Sequence, residues 1–313
     1  MKLNKNIKIF LAGHNGMVGS AILKKLIDDG FKNVILRTRK QLDLTNQEKT
    51  FKFLKRQKPK FVILAAAKVG GIAANAKFKD RFIYENIQIQ NNVIHGSFLA
   101  GVKNLFLLGS SCIYPKNCKQ PMKEKYLLTG PLEETNDAYA IAKIAGLKMC
   151  EYYSKIYNLN FKTLMPPNLY GPNDNYDLNE SHFFPALIKK IHVAKVKKKK
   201  EIILWGSGKP KRELMFVYDF ADAVIFFMNK RIKEPYINIG TGKDLSIIWY
   251  AKFLMKKLNI KLKIKFDKSK PDGTKKKCLD ITKARTYGWI PKNNFHEGTE
   301  ITYTNFLKKN NLS

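Results

Sequence analysis

The chain has 313 residues, of which 44% are hydrophobic and 12% are aromatic, so it can bury a sizeable core and is not predicted to be disordered. It carries 58 Lys and Arg residues against 25 Asp and Glu residues, which gives a formal net charge of +33. This excess favours a polyanionic partner, and charge alone leaves nucleic acid, an acidic membrane surface and a phosphate-bearing small molecule open. The apolar runs are too short to span a bilayer, and the N-terminal run predicts a strand rather than a signal peptide.

The first half of the sequence alternates strand-like and helix-like segments. Short apolar runs predict strands at 7–12, 34–36, 61–67, 104–109 and 161–165. Apolar residues at helical spacing predict helices at 20–27, 46–57, 86–100 and 138–157. Because strands that alternate with helices form right-handed βαβ units, the predicted fold class is α/β with a Rossmann-type doubly wound parallel sheet.

After residue 172 the pattern changes. Residues 173–181 are polar and predict a loop, and the lysine run at 195–200 predicts a solvated helix end or loop. Further strands are predicted at 202–204, 237–239 and 261–266, and a helix is predicted at 244–259. We therefore expect a smaller C-terminal α/β lobe, mainly over 173–313, with return segments near 215–242 that rejoin the first domain at 1–172.

The four cysteines, Cys112, Cys118, Cys150 and Cys278, include no C-x-x-C pair and no partner histidine at zinc-finger spacing. This spacing argues against a structural zinc site, and no other metal site is predicted. Four cysteines in a chain of this length also do not make a disulfide scaffold. We therefore expect reduced thiols and a cytoplasmic protein.

A glycine triplet follows the first predicted strand, in the sequence GHNGMVG at 13–19, and precedes the first helix. Gly13, Gly16 and Gly19 permit a tight turn, close approach of the backbone to a pyrophosphate, and close packing of helix on strand. The helix N-terminus supplies N–H donors and the positive end of a dipole. A dinucleotide site is predicted here; the alternative is an ordinary glycine-rich turn.

The second strand ends in Arg37, Thr38, Arg39 and Lys40, where an NAD-binding chain usually places an acidic residue for the ribose 2′-hydroxyl. Three cations at this place favour a 2′-phosphate and therefore NADP(H), so 1–172 is predicted to be the NADP-binding domain. The alternative is a solvated basic loop. Asp43 is suited either to the adenine amino group or to capping the following helix.

Tyr139 and Lys143 lie four residues apart on the predicted helix at 138–157 and therefore share a face. An ammonium near a phenol favours the phenolate, and a serine hydroxyl such as that of Ser110 can hold a substrate oxygen on which charge changes. The alternatives are a packed tyrosine and an exposed lysine. Together with the glycine triplet, the three residues match the short-chain dehydrogenase/reductase pattern.

The resemblance becomes more specific over nearly the whole chain. It is carried by AGHNGMVGSAI at 12–22, LAAAKVGGI at 64–72, LGSSCIYP at 108–115, YAIAKIAG at 139–146, NLYGP at 168–172, WGSGKPKRE at 205–213, NIGTG at 238–242 and SKPDGT at 269–274. The sequence resembles the extended short-chain dehydrogenase/reductases that act on nucleotide sugars, and within them the GDP-L-fucose synthase family.

This resemblance implies conversion of GDP-4-keto-6-deoxy-D-mannose to GDP-L-fucose, by epimerisation at C3 and C5 and then NADPH-dependent reduction at C4. It also implies a homodimer. The alternatives are another nucleotide-sugar reductase or 4-epimerase of the same superfamily and, from a different class, a basic nucleic-acid-binding protein. No nucleic-acid recognition motif accompanies the charge, so neither nucleic acid nor a membrane is the expected partner.

The resemblance places the family's catalytic Ser, Tyr and Lys at Ser110, Tyr139 and Lys143, and its epimerisation pair at Cys112 and His182. Thiols and imidazoles ordinarily titrate at about 8.5 and about 6.5, which suits them to moving protons near neutral pH. Without the resemblance, Cys112 is interpreted as a buried small hydrophobe and His182 as a helix-capping or solvated residue.

The cofactor-binding residues expected from the glycine triplet, the basic strand end and the resemblance are Gly13, Asn15, Gly16, Met17, Val18, Gly19, Arg37, Arg39, Asp43, Leu108, Ser110, Tyr139, Lys143, Pro166, Asn168, Leu169 and His182. The resemblance assigns the GDP-sugar to Lys190, Trp205, Arg212 and Asp272. The alternatives are surface charge for Lys190 and Arg212, and a core aromatic for Trp205. Two residues depart from the family pattern: Asn15 stands where relatives often carry Arg, and Pro167 where they often carry Thr.

Overall fold

A computed structural model of the chain describes residues 3–178, 180–270 and 272–311. The strands are β1 (Ile9–Ala12), β2 (Val34–Ile35), β3 (Phe61–Leu64), β4 (Asn104–Leu108), β5 (Asn160–Met165), β6 (Asn168–Tyr170), β7 (Glu201–Trp205), β8 (Lys211–Phe216), β9 (Tyr236–Asn238), β10 (Asp244–Ser246), β11 (Lys263–Asp267) and β12 (Lys276–Lys277). The α-helices are α1 (Met17–Asp28), α2 (Gln47–Gln57), α3 (Ile72–Lys77), α4 (Lys79–Leu99), α5 (Asp137–Tyr157), α6 (Phe183–Val196), α7 (Val217–Met228), α8 (Ile247–Lys257), α9 (Thr282–Thr286) and α10 (Phe295–Lys309).

Six of these strands form a parallel sheet in the order β2-β1-β3-β4-β5-β9, which confirms the predicted Rossmann-type fold class. The strand order changes direction at β1, because β2 lies on one side of β1 whereas β3, β4, β5 and β9 follow on the other. In open α/β sheets, ligands bind outside the carboxyl ends of the strands at such a switch point. The predicted glycine triplet follows β1 at this edge, so the topology places it at the expected ligand crevice.

The sheet is covered by helices on both faces, as its apolar strands require. Ile9 and Leu11 belong to the core shared with α1 and α7, whereas Phe10 and Ala12 belong to the core shared with α2, α4 and α5. Successive residues of a strand point to opposite faces, so a strand buried on both sides must be apolar at every position. This is why β1 and β3 are continuous apolar runs with all four residues buried.

The second half of the chain forms a smaller lobe around β8. This strand pairs with β6, β10 and β12, and β7 pairs with β11 in a separate two-stranded sheet. The helices α6, α8 and α10 cover the lobe, and their core includes Phe184, Phe216, Tyr250, Leu254 and Phe306. None of the helices in the described ranges is long and apolar enough to cross a membrane.

The structure corrects several predicted boundaries. The helix predicted at 86–100 begins earlier, at Lys79, and the helix predicted at 244–259 begins at Ile247. Residues 244–246 instead form β10, which pairs antiparallel with β8, and Ser246 Oγ accepts the N–H of Trp249 at 3.2 Å as the helix cap. In the predicted loop at 173–181, Asn179 lies outside the described residues.

Five helices and three strands carried no prediction from the sequence, namely α3, α6, α7, α9, α10, β6, β8 and β12. The helix α7 is apolar on nearly all sides because it is enclosed between α1 and the remainder of the chain, so it has no polar face to reveal a helical period. This helix and β9 return the second half of the chain to the six-stranded sheet.

Candidate active site

A cleft of about 770 Å³ runs along the carboxyl edge of the six-stranded sheet and continues against the smaller lobe. Its volume is typical of a site for a cofactor or substrate. The predicted residues that line it are Gly13, Asn15, Gly16, Met17, Val18, Gly19, Arg37, Arg39, Asp43, Ser110, Cys112, Tyr139, Pro166, Asn168, Leu169, His182, Lys190, Trp205, Arg212 and Asp272. Two predicted residues, Leu108 and Lys143, are buried behind the wall of the cleft.

The glycine triplet forms a tight turn between β1 and α1. Gly13 has φ +89°, and a Cβ there would lie 2.6 Å from the backbone nitrogen of Ala66, so both its conformation and its surroundings require glycine. A Cβ on Gly19 would collide with the carbonyl oxygen of Gly13. Helix α1 begins after Gly16 with no side-chain cap and no acidic residue in its first turn. Its N–H groups therefore face the cleft as an anion site.

The basic residues after β2 are placed at one end of the cleft. The Arg37 guanidinium donates to the carbonyl oxygen of Leu36 at 2.7 Å and lies over the ring of Phe53. Arg39 forms ion pairs with Glu85 at 3.5 Å and Asp43 at 3.7 Å. These two arginines place positive charge at this end of the cleft.

Asp43 does not cap α2. Its Oδ1 accepts the backbone N–H of Thr45 at 3.0 Å and the Thr45 hydroxyl at 2.8 Å, and these bonds hold the pKa of the carboxyl below its ordinary value although burial opposes them. The cap of α2 is Asn46, whose side chain accepts the N–H of Lys49 at 2.9 Å. The capping alternative for Asp43 is therefore wrong, and its carboxylate lines the cleft.

Ser110, Tyr139 and Lys143 converge where β4 ends. Burial raises the pKa of Tyr139 well above its ordinary value, and a hydrogen bond with Ser110 opposes this shift only in part. Burial lowers the pKa of Lys143 to about 8. The Lys143 ammonium donates to the carbonyl oxygen of Leu108 at 2.9 Å and lies 5.7 Å from the centre of the Tyr139 ring. In this arrangement burial, and not the nearby ammonium, dominates the acidity of the phenol.

Cys112 is half-buried and open to the cleft, unlike Cys150 and Cys278, which are buried and whose thiol pKa values burial raises to about 12. Its sulfur accepts hydrogen bonds from the Asn136 amide at 3.5 Å and from the Lys277 ammonium at 3.5 Å. The interpretation as a buried hydrophobe therefore suits Cys150 and Cys278 but not Cys112.

His182 occupies the N-cap position of α6, yet its side chain makes no capping hydrogen bond. His182 is exposed and lines the cleft. Desolvation lowers the pKa of its imidazole, and the positive charge of Lys277 lowers it further. Both effects favour the uncharged imidazole, which faces the same cleft as Cys112.

Lys190 and Trp205 lie together on the smaller lobe. The Lys190 ammonium is 5.5 Å from the centre of the Trp205 ring and donates to the carbonyl oxygen of Ile203 at 3.2 Å. Trp205 is 41% exposed, so it is not a core aromatic. Its open face gives the cleft an apolar surface beside a positive charge.

Arg212 is only 8% exposed, which excludes a role as simple surface charge. Its guanidinium donates to the carbonyl oxygens of Lys211 at 2.9 Å, Thr274 at 2.5 Å and Asp272 at 3.1 Å. The Asp272 carboxylate accepts the N–H and hydroxyl of Ser207 at 2.6 Å and 2.7 Å, so much of its capacity is already used to hold that turn. Within the described residues, the Nε–H and one Nη2–H of Arg212 have no partner and remain for a ligand.

The structure adds cleft residues that the sequence analysis missed. Glu133 is buried and pairs with Lys116 at 3.4 Å and with the Thr274 hydroxyl at 3.4 Å. Asn136 and Lys277 contact Cys112. Neither has a sequence signal of its own, because Lys277 ends a run of three lysines and Asn136 precedes α5 as an ordinary polar residue.

Comparison with known proteins identifies the family of the chain. A model of the NAD dependent epimerase/dehydratase family matches residues 9–240. GDP-L-fucose synthases of Sinorhizobium fredii and Escherichia coli are 49% and 44% identical over 300 and 310 residues, which cover 96% of this chain in both cases and 95% and 97% of the relatives. A GDP-mannoheptose C4 reductase of Campylobacter jejuni, solved with NADP bound, has a TM-score of 0.89 and 38% identity, over 97% of this chain and 99% of that one. The chain belongs to the NAD dependent epimerase/dehydratase family and, within it, to the GDP-L-fucose synthases.

Proposed function

We propose that this chain converts GDP-4-keto-6-deoxy-D-mannose to GDP-L-fucose by epimerisation at C3 and C5 and reduction at C4, with NADPH as cofactor. One observation carries the proposal: a thiol and an imidazole, Cys112 and His182, open onto the same cleft as Ser110 and Tyr139. A reductase alone needs the serine and tyrosine. The additional pair of proton-transferring groups accounts for epimerisation in the same site.

The glycine turn and the basic strand end fit NADPH. The lack of a Cβ at Gly13 and Gly19 lets the turn pack tightly against Ala66 and against itself, so that the first N–H groups of α1 lie at the cleft, where a pyrophosphate would bind. Arg37 and Arg39 supply positive charge for the 2′-phosphate. The C. jejuni relative binds NADP in the same fold. When bound, the cofactor supplies the hydride for C4. Because Asn15 brings no charge to the turn, the two arginines carry the preference for NADPH.

The 4-keto group makes the protons on C3 and C5 acidic, since the negative charge left by proton removal passes to the carbonyl oxygen. Cys112 and His182 form the acid/base pair that removes each proton and returns one with inversion. During this step Ser110 and Tyr139 hold the enolate oxygen by hydrogen bonds. No net proton or electron is gained or lost in the epimerisation.

For the reduction, Tyr139 donates its phenolic proton to the C4 oxygen. Its raised pKa keeps the proton on the phenol near neutral pH until the oxygen becomes basic enough to take it. The buried cation of Lys143 then favours the phenolate that remains. Ser110 holds the same oxygen, so epimerisation and reduction share one substrate orientation.

The smaller lobe binds the GDP-sugar in this proposal. Arg212 directs its free N–H groups to the diphosphate, Lys190 adds a positive charge, and Trp205 offers an apolar face. Asp272 supports the turn through Ser207 and has little capacity left for sugar hydroxyls. We accordingly infer an NADP-binding domain over 1–172 with return segments near 215–242, and a mainly substrate-binding lobe over 173–313.

The deciding assay incubates the wild-type protein with GDP-4-keto-6-deoxy-D-mannose in D₂O, with NADPH and in parallel with NADH. We expect NADPH consumption and a GDP-L-fucose product that carries solvent deuterium at C3 and C5. A product reduced at C4 without deuterium at those carbons would identify a plain reductase instead. Absence of NADPH consumption would overturn the proposal.

The variant Cys112→Ser tests the epimerisation pair. We expect loss of deuterium incorporation, with slow reduction of the unepimerised substrate retained. Cys118→Ser is the matched control, because Cys118 is also half-buried but lies off the surface of the cleft, and it should keep both activities. Full conversion to GDP-L-fucose by Cys112→Ser would show that this assignment is wrong.

We also propose that the protein is a cytoplasmic homodimer that associates through α4 and α5. These helices expose apolar side chains at Leu99, Tyr152 and Ile156, with Ile156 70% exposed. Such side chains suit an interface rather than solvent. Light scattering should give a dimer for the wild type and a monomer for Ile156→Glu, whereas Ile290→Glu, at an exposed apolar site elsewhere, should remain dimeric.

A further inference from the structure

Lys277 is held rigidly at the edge of the cleft by β12. It pairs with Arg212 of β8 in the parallel ladder, so the two cations stand side by side on adjacent strands. The backbone is anchored immediately after it, where Cys278 N–H donates to the Gln120 side chain at 3.0 Å and Leu279 N–H donates to the Glu213 carboxylate at 2.7 Å. These bonds fix where the side chain of Lys277 begins.

The neighbouring lysines are different. Lys275 and Lys276 are exposed, and Lys276 pairs with Asp244 at 3.6 Å. Lys277 is half-buried and, within the described ranges, forms no ion pair with a carboxylate. Its ammonium instead donates to the sulfur of Cys112 at 3.5 Å. The contact of this ammonium with a thiol, and not with a carboxylate, sets Lys277 apart from Lys276.

The same ammonium also acts on His182, where its positive charge lowers the pKa of the imidazole. Lys277 is therefore close enough to influence both Cys112 and His182. The other titratable or charged groups around the thiol are Arg212 from β8 and Tyr139 from α5. Of these, Lys277 is the one in direct contact with the sulfur.

We propose that Lys277 is a further residue of the epimerisation machinery, where its fixed positive charge sets the protonation of the Cys112 and His182 pair. This inference rests on the proposed function. When the thiolate takes a proton from C3 or C5, the C–H electron pair moves into the carbonyl and the sulfur becomes neutral. When the sulfur gives a proton back, the negative charge that returns to it lies beside the ammonium.

A positive charge favours the less protonated form of every group near it. Lys277 therefore moves the whole pH profile of epimerisation toward lower pH, and its removal should move both limbs toward higher pH by about one unit. On the acidic side of the optimum this shift means an exchange rate about tenfold lower than that of the wild type. The hydride transfer step uses Ser110, Tyr139 and Lys143 and should not follow the same shift.

The test compares Lys277→Met, Lys277→Arg and Lys276→Met. Lys277→Met keeps the stem but removes the charge, Lys277→Arg keeps the charge, and Lys276→Met removes an adjacent charge that points to Asp244. Deuterium exchange at C3 and C5 is measured across pH with NADP⁺ in place of NADPH, so that reduction cannot follow. Thermal unfolding and NADPH binding of each variant show that the fold and the cofactor site are kept.

We expect Lys277→Met to shift the exchange profile to higher pH, Lys277→Arg to stay close to the wild type, and Lys276→Met to be unchanged. An unshifted profile with a raised KM for the GDP-sugar would show that Lys277 only binds substrate, and would overturn the proposal. If the wild type itself exchanged no deuterium, the proposed function would fail before the role of Lys277 was reached. The two failures are thus distinguishable.

Discussion

Lys143 offers a direct measure of what the catalytic site costs the fold. Its side chain is 3% exposed, and burial lowers its pKa from 10.5 to about 8. At pH 7 the lysine is charged in both the folded and the unfolded protein, so the folded state bears a desolvation cost of about 3 kcal/mol. The hydrogen bond to the carbonyl oxygen of Leu108, at 2.9 Å, replaces part of the hydration that the ammonium loses.

Replacing Lys143 by Met removes the charge and keeps most of the volume, so we expect a protein that is as stable as the wild type at pH 7 or more stable. The pH dependence is the sharper readout. Above about pH 8 the folded wild type loses the proton while the unfolded chain keeps it until about pH 10.4, and wild-type stability rises relative to the variant across this interval. Between pH 7 and pH 9.5 the difference in unfolding free energy should change by about 2 kcal/mol in favour of the wild type, or about 3 °C in Tm.

Thermal unfolding of both proteins without added ligand provides the measurement, and NADPH oxidation with the GDP-sugar should fall at least about a hundredfold in the variant. The control is Lys155→Met on the same helix, because Lys155 is exposed and pairs with Glu151 at 2.7 Å. The difference in Tm between Lys155→Met and the wild type should not change between pH 7 and pH 9.5 in the way expected for Lys143→Met. A Tm difference between Lys143→Met and the wild type that stays constant from pH 7 to pH 9.5 would show that burial does not lower the pKa of Lys143.

Three further predictions concern the cofactor turn, the 2′-phosphate end and a buried acid. Gly13→Ala should abolish measurable NADPH binding in fluorescence titration, because its φ of +89° and the nitrogen of Ala66 at 2.6 Å exclude a Cβ. The pair Arg37→Met and Arg39→Met should raise the KM for NADPH about tenfold or more while that for NADH changes little in steady-state assays. Asp174→Asn should stabilise the protein above pH 7 by about 1 to 3 kcal/mol in denaturant unfolding, because burial raises the pKa of this carboxyl to about 7 and one of its oxygens lacks a partner within the described residues.

Each of these has a control or a contrary outcome. Gly30→Ala has a similar φ of +83° but open space around its Cβ, so it should keep NADPH binding. Equal losses of NADPH and NADH binding in the arginine variants would show that Arg37 and Arg39 do not recognise the 2′-phosphate. For Asp174, the unfolded carboxyl titrates near 3.9, so wild-type stability falls as pH rises from about 4 to 7. The higher unfolding free energy of Asp174→Asn should therefore disappear near pH 4. A difference in unfolding free energy that persisted at pH 4 would show that the raised pKa of Asp174 is not its cause.

The fold class and much of the proposed cofactor site could be predicted from the sequence. Continuous apolar strands can be satisfied only by a sheet covered on both faces, and a glycine triplet between a strand and a helix leaves few conformations. These signals are local, since the residues that carry them are neighbours in the chain. For the same reason the longer helices before residue 172 were predicted, with errors at their ends, whereas the six-residue helix α3 was not. Gly13 and Tyr139 were identified in this way.

Contacts between residues far apart in the chain could not be predicted from the sequence and are seen only in the folded protein. Lys277 meets Cys112 across 165 positions because β12 is held beside β8, and no local pattern in a run of lysines distinguishes Lys277 from Lys276. Burial is equally invisible to spacing: the sequence suggested that Lys143 would lower the pKa of Tyr139, yet enclosure by protein dominates and raises it. Periodicity reports which face of an element is apolar, whereas pKa values and partners depend on what the folded chain brings against that face.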